Sequence, residues 1–123
     1  MVNLKQCPID RSFHNTVLHK KWALTILRDM MRGFNHFCDY LTTNPGLSSK
    51  VLSERLKEME LEGLISKNIV SITPLEIEYD LTPKGLDLQN VLFYFSMFSA
   101  KYYPQDIFEN GKFEFEAVNN KLQ

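Results

Sequence analysis

Along residues 16–31 the apolar positions Leu18, Trp22, Ile26, Leu27, Met30 and Met31 recur near one face at helical spacing, while Lys20, Lys21, Arg28 and Asp29 fall largely on the other. This is the pattern of a helix buried along one stripe, and Gly33 supplies its stop. A short second helix is expected around Phe37 and Leu41, with Asn35 as its cap and Thr42-Thr43-Asn44-Pro45-Gly46 as the turn that ends it. A third helix follows from Ser48, a capping residue. In it Val51, Leu52, Leu56 and Met59 form an inward stripe and Ser49, Lys50, Ser53, Glu54 and Lys57 face out, until Gly63 closes it.

After Gly63 the period changes to two. Ile65, Ile69 and Ile72 mark one extended run. Residues 76–81 alternate strictly, with Ile77, Tyr79 and Leu81 on one face and Glu76, Glu78 and Asp80 on the other. Thr73-Pro74-Leu75 is the turn between them. Two strands alone are marginal in water, so the ribbon is expected to lean its apolar face on the helices. Thr82-Pro83 reads as a cap followed by proline at the first helical position, opening a long helix over residues 83–102. Apolar side chains wrap most of that helix, so it needs a second apolar partner beyond its own domain, and a second subunit is the natural candidate. Asn110-Gly111 has hairpin chemistry, though an irregular tail would use the same residues.

The chain of 123 residues is long enough for one domain with a single core. Its 44% hydrophobic and 24% charged residues exclude collagenous, low-complexity and disordered classes. Cys7 and Cys38 alone build neither a disulfide framework nor a four-cysteine zinc site, and the longest apolar run, residues 91–100, is about half of what a bilayer crossing needs. A cytoplasmic protein with reduced thiols, no cofactor and no metal is the expectation. Charge changes the picture more than composition does. Residues 1–53 hold seven Lys/Arg and three Asp/Glu, net +4, against seven and twelve, net −5, in residues 54–123. Phosphate contacts therefore require a local basic face rather than overall charge. For an enzyme there is no phosphate-binding glycine loop, metal-ligand spacing or nucleophile elbow, and His14, His19 and His36 are scattered.

Three helices, a two-stranded ribbon and a long helix make an α+β fold in the order of a winged helix-turn-helix, with the ribbon as the β-wing. The residues themselves resemble the HxlR-type transcription regulators, relatives of the MarR-type winged helices. The likeness runs through Cys7-Pro8-Ile9, Lys21-Trp22 with Ile26-Leu27-Arg28, Gly33 with Phe37, Gly46-Leu47-Ser48, Leu52-x-x-Arg55-Leu56-x-x-Met59-Glu60, Gly63-Leu64-Ile65 and Glu78-Tyr79-Asp80-Leu81-Thr82-x-x-Gly85. The resemblance implies a homodimeric regulator paired through its first and last helices, with double-stranded DNA as partner and in some relatives a thiol near the N-terminus that senses oxidants or electrophiles. The sequence departs from the family pattern in three places. His19-Lys20 replace a Gly-Gly pair before Lys-Trp, so the break between the first helical segments is expected to be lost. His36 stands where a basic residue precedes the family's Phe, and Glu76 where the wing carries an arginine, so the wing should repel phosphate.

The expectation is a homodimeric transcriptional regulator that recognises a pseudopalindromic operator through its third helix. Residues 1–103 form the winged-helix DNA-binding domain with its dimerisation helices, and residues 104–123 a C-terminal extension. Ser48, Ser49, Lys50, Ser53 and Lys57 would face the groove, and Lys21, Arg28 and Arg55 the DNA backbone. Leu92, Phe95, Phe98 and Tyr102 would form the dimer interface. Cys7 is the candidate redox sensor, open to a small-molecule or electrophile effector. Only Lys5 and Arg11 are cations near it, and Asp10 opposes them, so its alkylation should be slow. Cys38 is expected to be buried. The rival reading is a winged-helix protein-interaction module that no longer reads DNA sequence.

Overall fold

Trp22 interrupts what the periodicity joins. In the computed structural model, which describes residues 3–113, a π-helical turn (Asp10–His14) and a 3-10 turn (Val17–His19) precede helix α1 (Ala23–Met31). Trp22, at φ +77°, lies between them in the left-handed region. The break expected to vanish with the two glycines is thus present, and three long-range contacts hold it. The Arg55 guanidinium donates to the Lys21 carbonyl at 2.9 Å, Lys20 pairs with Glu58, and the Trp22 ring packs at Gly46, where an added Cβ would come within 3.3 Å of it.

Helices α2 (Phe37–Thr43) and α3 (Ser49–Leu61) follow. The N-cap of α2 is His36 and not Asn35, whose carbonyl instead accepts the Tyr79 N–H at 2.8 Å. Strands β1 (Ile65–Ile72) and β2 (Leu75–Leu81) pair antiparallel through the Thr73-Pro74 turn, with an irregularity between Ile69 and Ser71. The expected long helix is two pieces, α4 (Pro83–Leu86) and α5 (Gln89–Tyr102), followed by a short α6 (Pro104–Ile107). No strand occurs among described residues 104–113, and the rest of the stretch for which a hairpin or an irregular tail was open lies outside the described residues.

One core gathers the inner faces: Ile26 and Leu27 of α1, Tyr40 of α2, Leu52, Leu56 and Met59 of α3, Tyr79 of β2 and Leu92 of α5. As the alternation requires, Tyr79 is buried and Ile77 and Leu81 are half-buried against the same core, so the wing base is anchored to the helices. A second, smaller cluster forms where Phe108 packs on Ala100 and Met97. The fold is α+β and a winged helix-turn-helix.

Candidate nucleic-acid interface

The Ser48 hydroxyl oxygen accepts the Val51 N–H at 3.1 Å, satisfying an otherwise orphaned donor and fixing where α3 begins. With Leu52, Leu56 and Met59 turned into the core, Ser49, Lys50, Ser53 and Lys57 are left exposed. Ser49, Ser53 and Lys57 repeat every four residues, making a row roughly 12 Å long flanked by Lys50. Small hydroxyls let a helix approach closely, and ammonium groups pair with phosphates or guanine acceptors. Ser48 gives one lone pair to the cap and keeps its hydroxyl proton and the other lone pair.

Two arginines expected on DNA are used inside the domain. Arg55 has a side chain only 15% exposed, clamped between the Lys21 carbonyl and Glu58 (2.9 Å each). Its partner Glu58 would be pushed up by burial. The hydrogen bond and charge of Lys20, together with Arg55, nevertheless hold its carboxyl below the ordinary carboxylate range. Stability from a carboxyl depressed in this way is present above its unfolded-state pKa and is lost as pH falls through its folded one. Arg28 turns to Asp29, its Nη2 and Nε at 3.0 and 3.2 Å from Oδ1, and reaches Asn44 at 3.4 Å. Asp29 is fully buried and its second oxygen accepts from Asn44 Nδ2 at 2.7 Å, so the network joins the end of α1 to the turn before α3. In both places a guanidinium beside a sheltered carboxylate satisfies that charge within the domain. Replacing Asp29 by Asn should cost about 2 kcal/mol, the worth of charge-assisted hydrogen bonds, without changing the α3 surface. Urea unfolding measures it, and an unchanged midpoint would contradict the network's importance.

Lys21 is exposed, with its ammonium 5.5 Å from the Trp22 ring, and remains available to a phosphate flanking α3. Leu92 is only 8% exposed and faces its own core, so it leaves the expected interface set, whereas Phe95, Phe98 and Tyr102 are each more than half exposed. Cys7 is exposed as a free thiol, and so is Cys38, which the sequence had placed inside: its helix position turns out to face solvent. Sequence reading missed Glu62, whose two oxygens both accept the Val17 N–H at 3.0 and 3.1 Å. It lies four residues after Glu58 and eight after Glu54. No local signal marks a contact 45 residues away.

A profile described as the HxlR-like helix-turn-helix matches residues 17–107. The chain belongs to the HxlR-like helix-turn-helix family. Among the family's relatives, YvaP of Bacillus subtilis, an HTH-type transcriptional regulator, is 42% identical over 76 residues, spanning 62% of this chain and 70% of YvaP. The HTH-type regulator YodB of the same organism is 37% identical over 76 residues, 62% of this chain and 68% of its own. The solved structure of reduced YodB superposes with a TM-score of 0.67 at 32% identity, covering 80% of this chain and 95% of that one. A quinone-bound YodB structure gives 0.65 at 31% identity, over 79% of this chain and all of that one. This HxlR-like chain is therefore a transcriptional regulator with a helix-turn-helix DNA-binding domain, from a family of regulators rather than enzymes. No helix among its described residues is long and apolar enough to cross a membrane.

Proposed function

We propose that this HxlR-like regulator binds a pseudopalindromic operator as a homodimer, inserting α3 of each subunit into the major groove. The observation that carries the reading is the row of Ser49, Lys50, Ser53 and Lys57, exposed on a helix whose other side is locked into the core. Lys21 lies beside it as a backbone contact. Pairing through α5 is supported by its outer face, where Tyr94, Phe95, Phe98 and Tyr102 are 54–70% exposed, a larger aromatic surface than a lone domain leaves in water. The two-fold then puts half-site centres about one helical turn, or a multiple of it, apart.

The test is a DNA titration across a salt series, using sequence upstream of the protein's own gene. Log affinity should fall with log salt at a slope near −0.9 for each phosphate neutralised, and footprinting should show two related half-sites. Lys50→Ala should cost about 1–3 kcal/mol on that operator and relax preference at one or two base pairs. A flat salt response would favour the protein-interaction module instead, and an unchanged affinity in Lys50→Ala would remove α3 as the reader.

A second reading concerns the effector, and it is favoured by the exposed Cys7 together with the likeness to YodB, solved in quinone-bound and diamide-treated forms. In this reading a quinone-class electrophile adds to the Cys7 sulfur and weakens operator binding. The expected result is release from the operator on quinone treatment, retained in Cys38→Ser and absent in Cys7→Ser, each followed by gel shift. Release that persists in Cys7→Ser would end the assignment.

A further inference from the structure

The structure brings His36, at the start of α2, against Glu76 and Glu78 on the wing. Nε2 of His36 lies 3.3 Å from Glu76 Oε1 and 3.6 Å from Glu78 Oε1, and one donor atom from each of the three side chains lies within 4.8 Å of the others. The arrangement is held by backbone. Glu76 and Glu78 are two apart on β2 and share a face of the wing. The Tyr79 N–H to Asn35 carbonyl bond, at 2.8 Å, ties the residue after Glu78 to the residue before His36. His36 is further set by its own N–H, which donates to Asp39 Oδ2 at 3.1 Å; the same oxygen lies 3.7 Å from Nδ1, the ring nitrogen turned away from the two glutamates.

We propose that His36, Glu76 and Glu78 bind a first-row divalent transition-metal ion of the zinc type. A tetrahedral zinc with bonds of roughly 2.0–2.1 Å has ligand-to-ligand edges of about 3.3–3.4 Å; the Nε2 to Glu76 edge, at 3.3 Å, is at that figure, the Nε2 to Glu78 edge, at 3.6 Å, is slightly longer, and small side-chain rotations of the exposed glutamates would close the rest. An imidazole with two carboxylates is a donor set that zinc and its neighbours in the row accept, whereas calcium and magnesium prefer all-oxygen shells. The three side chains are 32–48% exposed, so a fourth position is open to water and an ion can enter from solvent. A carboxylate near the rear nitrogen of a metal-bound histidine is the usual way of orienting such a ring. Two glutamates on one strand face repel each other, and a dication between them would exchange that repulsion for attraction. The bound ion would pin the wing to the start of α2. The ordinary alternative, a histidine simply ion-paired with the glutamates, binds no metal. The proposal concerns the protein alone and does not depend on the operator reading.

The experiment titrates metal-depleted protein with Co2+, followed by the visible bands of the bound ion, and then displaces the Co2+ with Zn2+, all without DNA. One ion per chain is expected. His36→Gln, Glu76→Gln and Glu78→Gln should each weaken binding by about tenfold or more, and Zn2+ should raise the thermal midpoint of the parent but not of these variants. Circular dichroism without metal checks that each variant is folded, and because all three residues are partly exposed, any variant that folds decides the case. His14→Ala and the Cys7→Ser, Cys38→Ser pair should bind as the parent does. Absence of stoichiometric binding overturns the site, as does an affinity indifferent to the three glutamine variants or lost with the thiols or His14.

Discussion

Substituting Phe95 and Phe98 together by glutamate should convert the protein to a monomer and remove operator binding at concentrations where the parent is saturated. Each ring is more than half exposed in a single chain, so the change spares the domain core and acts only where a second copy would cover it. Closing the α5 pairing over two carboxylates from each subunit would desolvate four charges without partners, at several kcal/mol each. Loss of the pair removes the linkage between two reading helices, which by itself contributes two to four orders of magnitude in apparent affinity. Sedimentation across the micromolar range and a gel shift read the two consequences separately. Leu92→Glu supplies the contrast: its side chain lies in the chain's own core, and that variant should unfold rather than dissociate. Sedimentation of the parent as a monomer, or of the double variant as a dimer, would refute the α5 interface.

The other large effect is expected at Gly85. A Cβ built there would lie 2.1 Å from the Leu64 carbonyl oxygen and 3.1 Å from Leu64 C and Leu81 Cδ2. The obstruction is backbone, which cannot swing aside as a side chain would. That carbonyl also accepts the Thr82 N–H at 3.1 Å, so moving it breaks the joint between the start of β1 and the start of α4. Gly85→Ala should cost about 3 kcal/mol or more, lowering the thermal midpoint by roughly 10 °C. Gly63→Ala separates sterics from backbone preference, because nothing lies within 4 Å of its Cβ while φ is +75°; its cost should be about 1 kcal/mol. Equal losses in the two variants would mean that the contact with Leu64 is not what demands glycine at 85.

The contrast between those glycines also marks what the sequence could show. α3 was legible because its stripe, cap and stop are all local, and β2 because six alternating residues leave one choice of face. The outward row of Ser49, Lys50, Ser53 and Lys57 followed from the same periodicity. The internal pairings of Arg28 and Arg55 were not legible, because periodicity says which way a side chain points but not whom it meets. Asp29 beside Arg28 was visible as a neighbour, yet its complete burial is a property of the assembled core. His36 and the two glutamates could not have been joined from the chain alone: forty residues separate His36 from Glu76, and only the strand position set by Tyr79 and Asn35 closes the gap.

The left-handed residue at Trp22 has a consequence for cooperativity. A bend written in glycines is available to the unfolded chain and can form before anything else does. Here the one local bond across the bend, from the Ala23 N–H to the Lys20 carbonyl at 3.2 Å, is backed by Arg55 and Glu58 of α3 and by Gly46 in the turn before it, so most of the restraint comes from far along the chain. Residues 17–22 should therefore order only when α3 is in place and come apart with it, as one opening unit in amide hydrogen exchange rather than as a fraying N-terminus. The segment then reports on α3: solvent exchange at the Lys20 and Ala23 amides would rise and fall with the integrity of that helix.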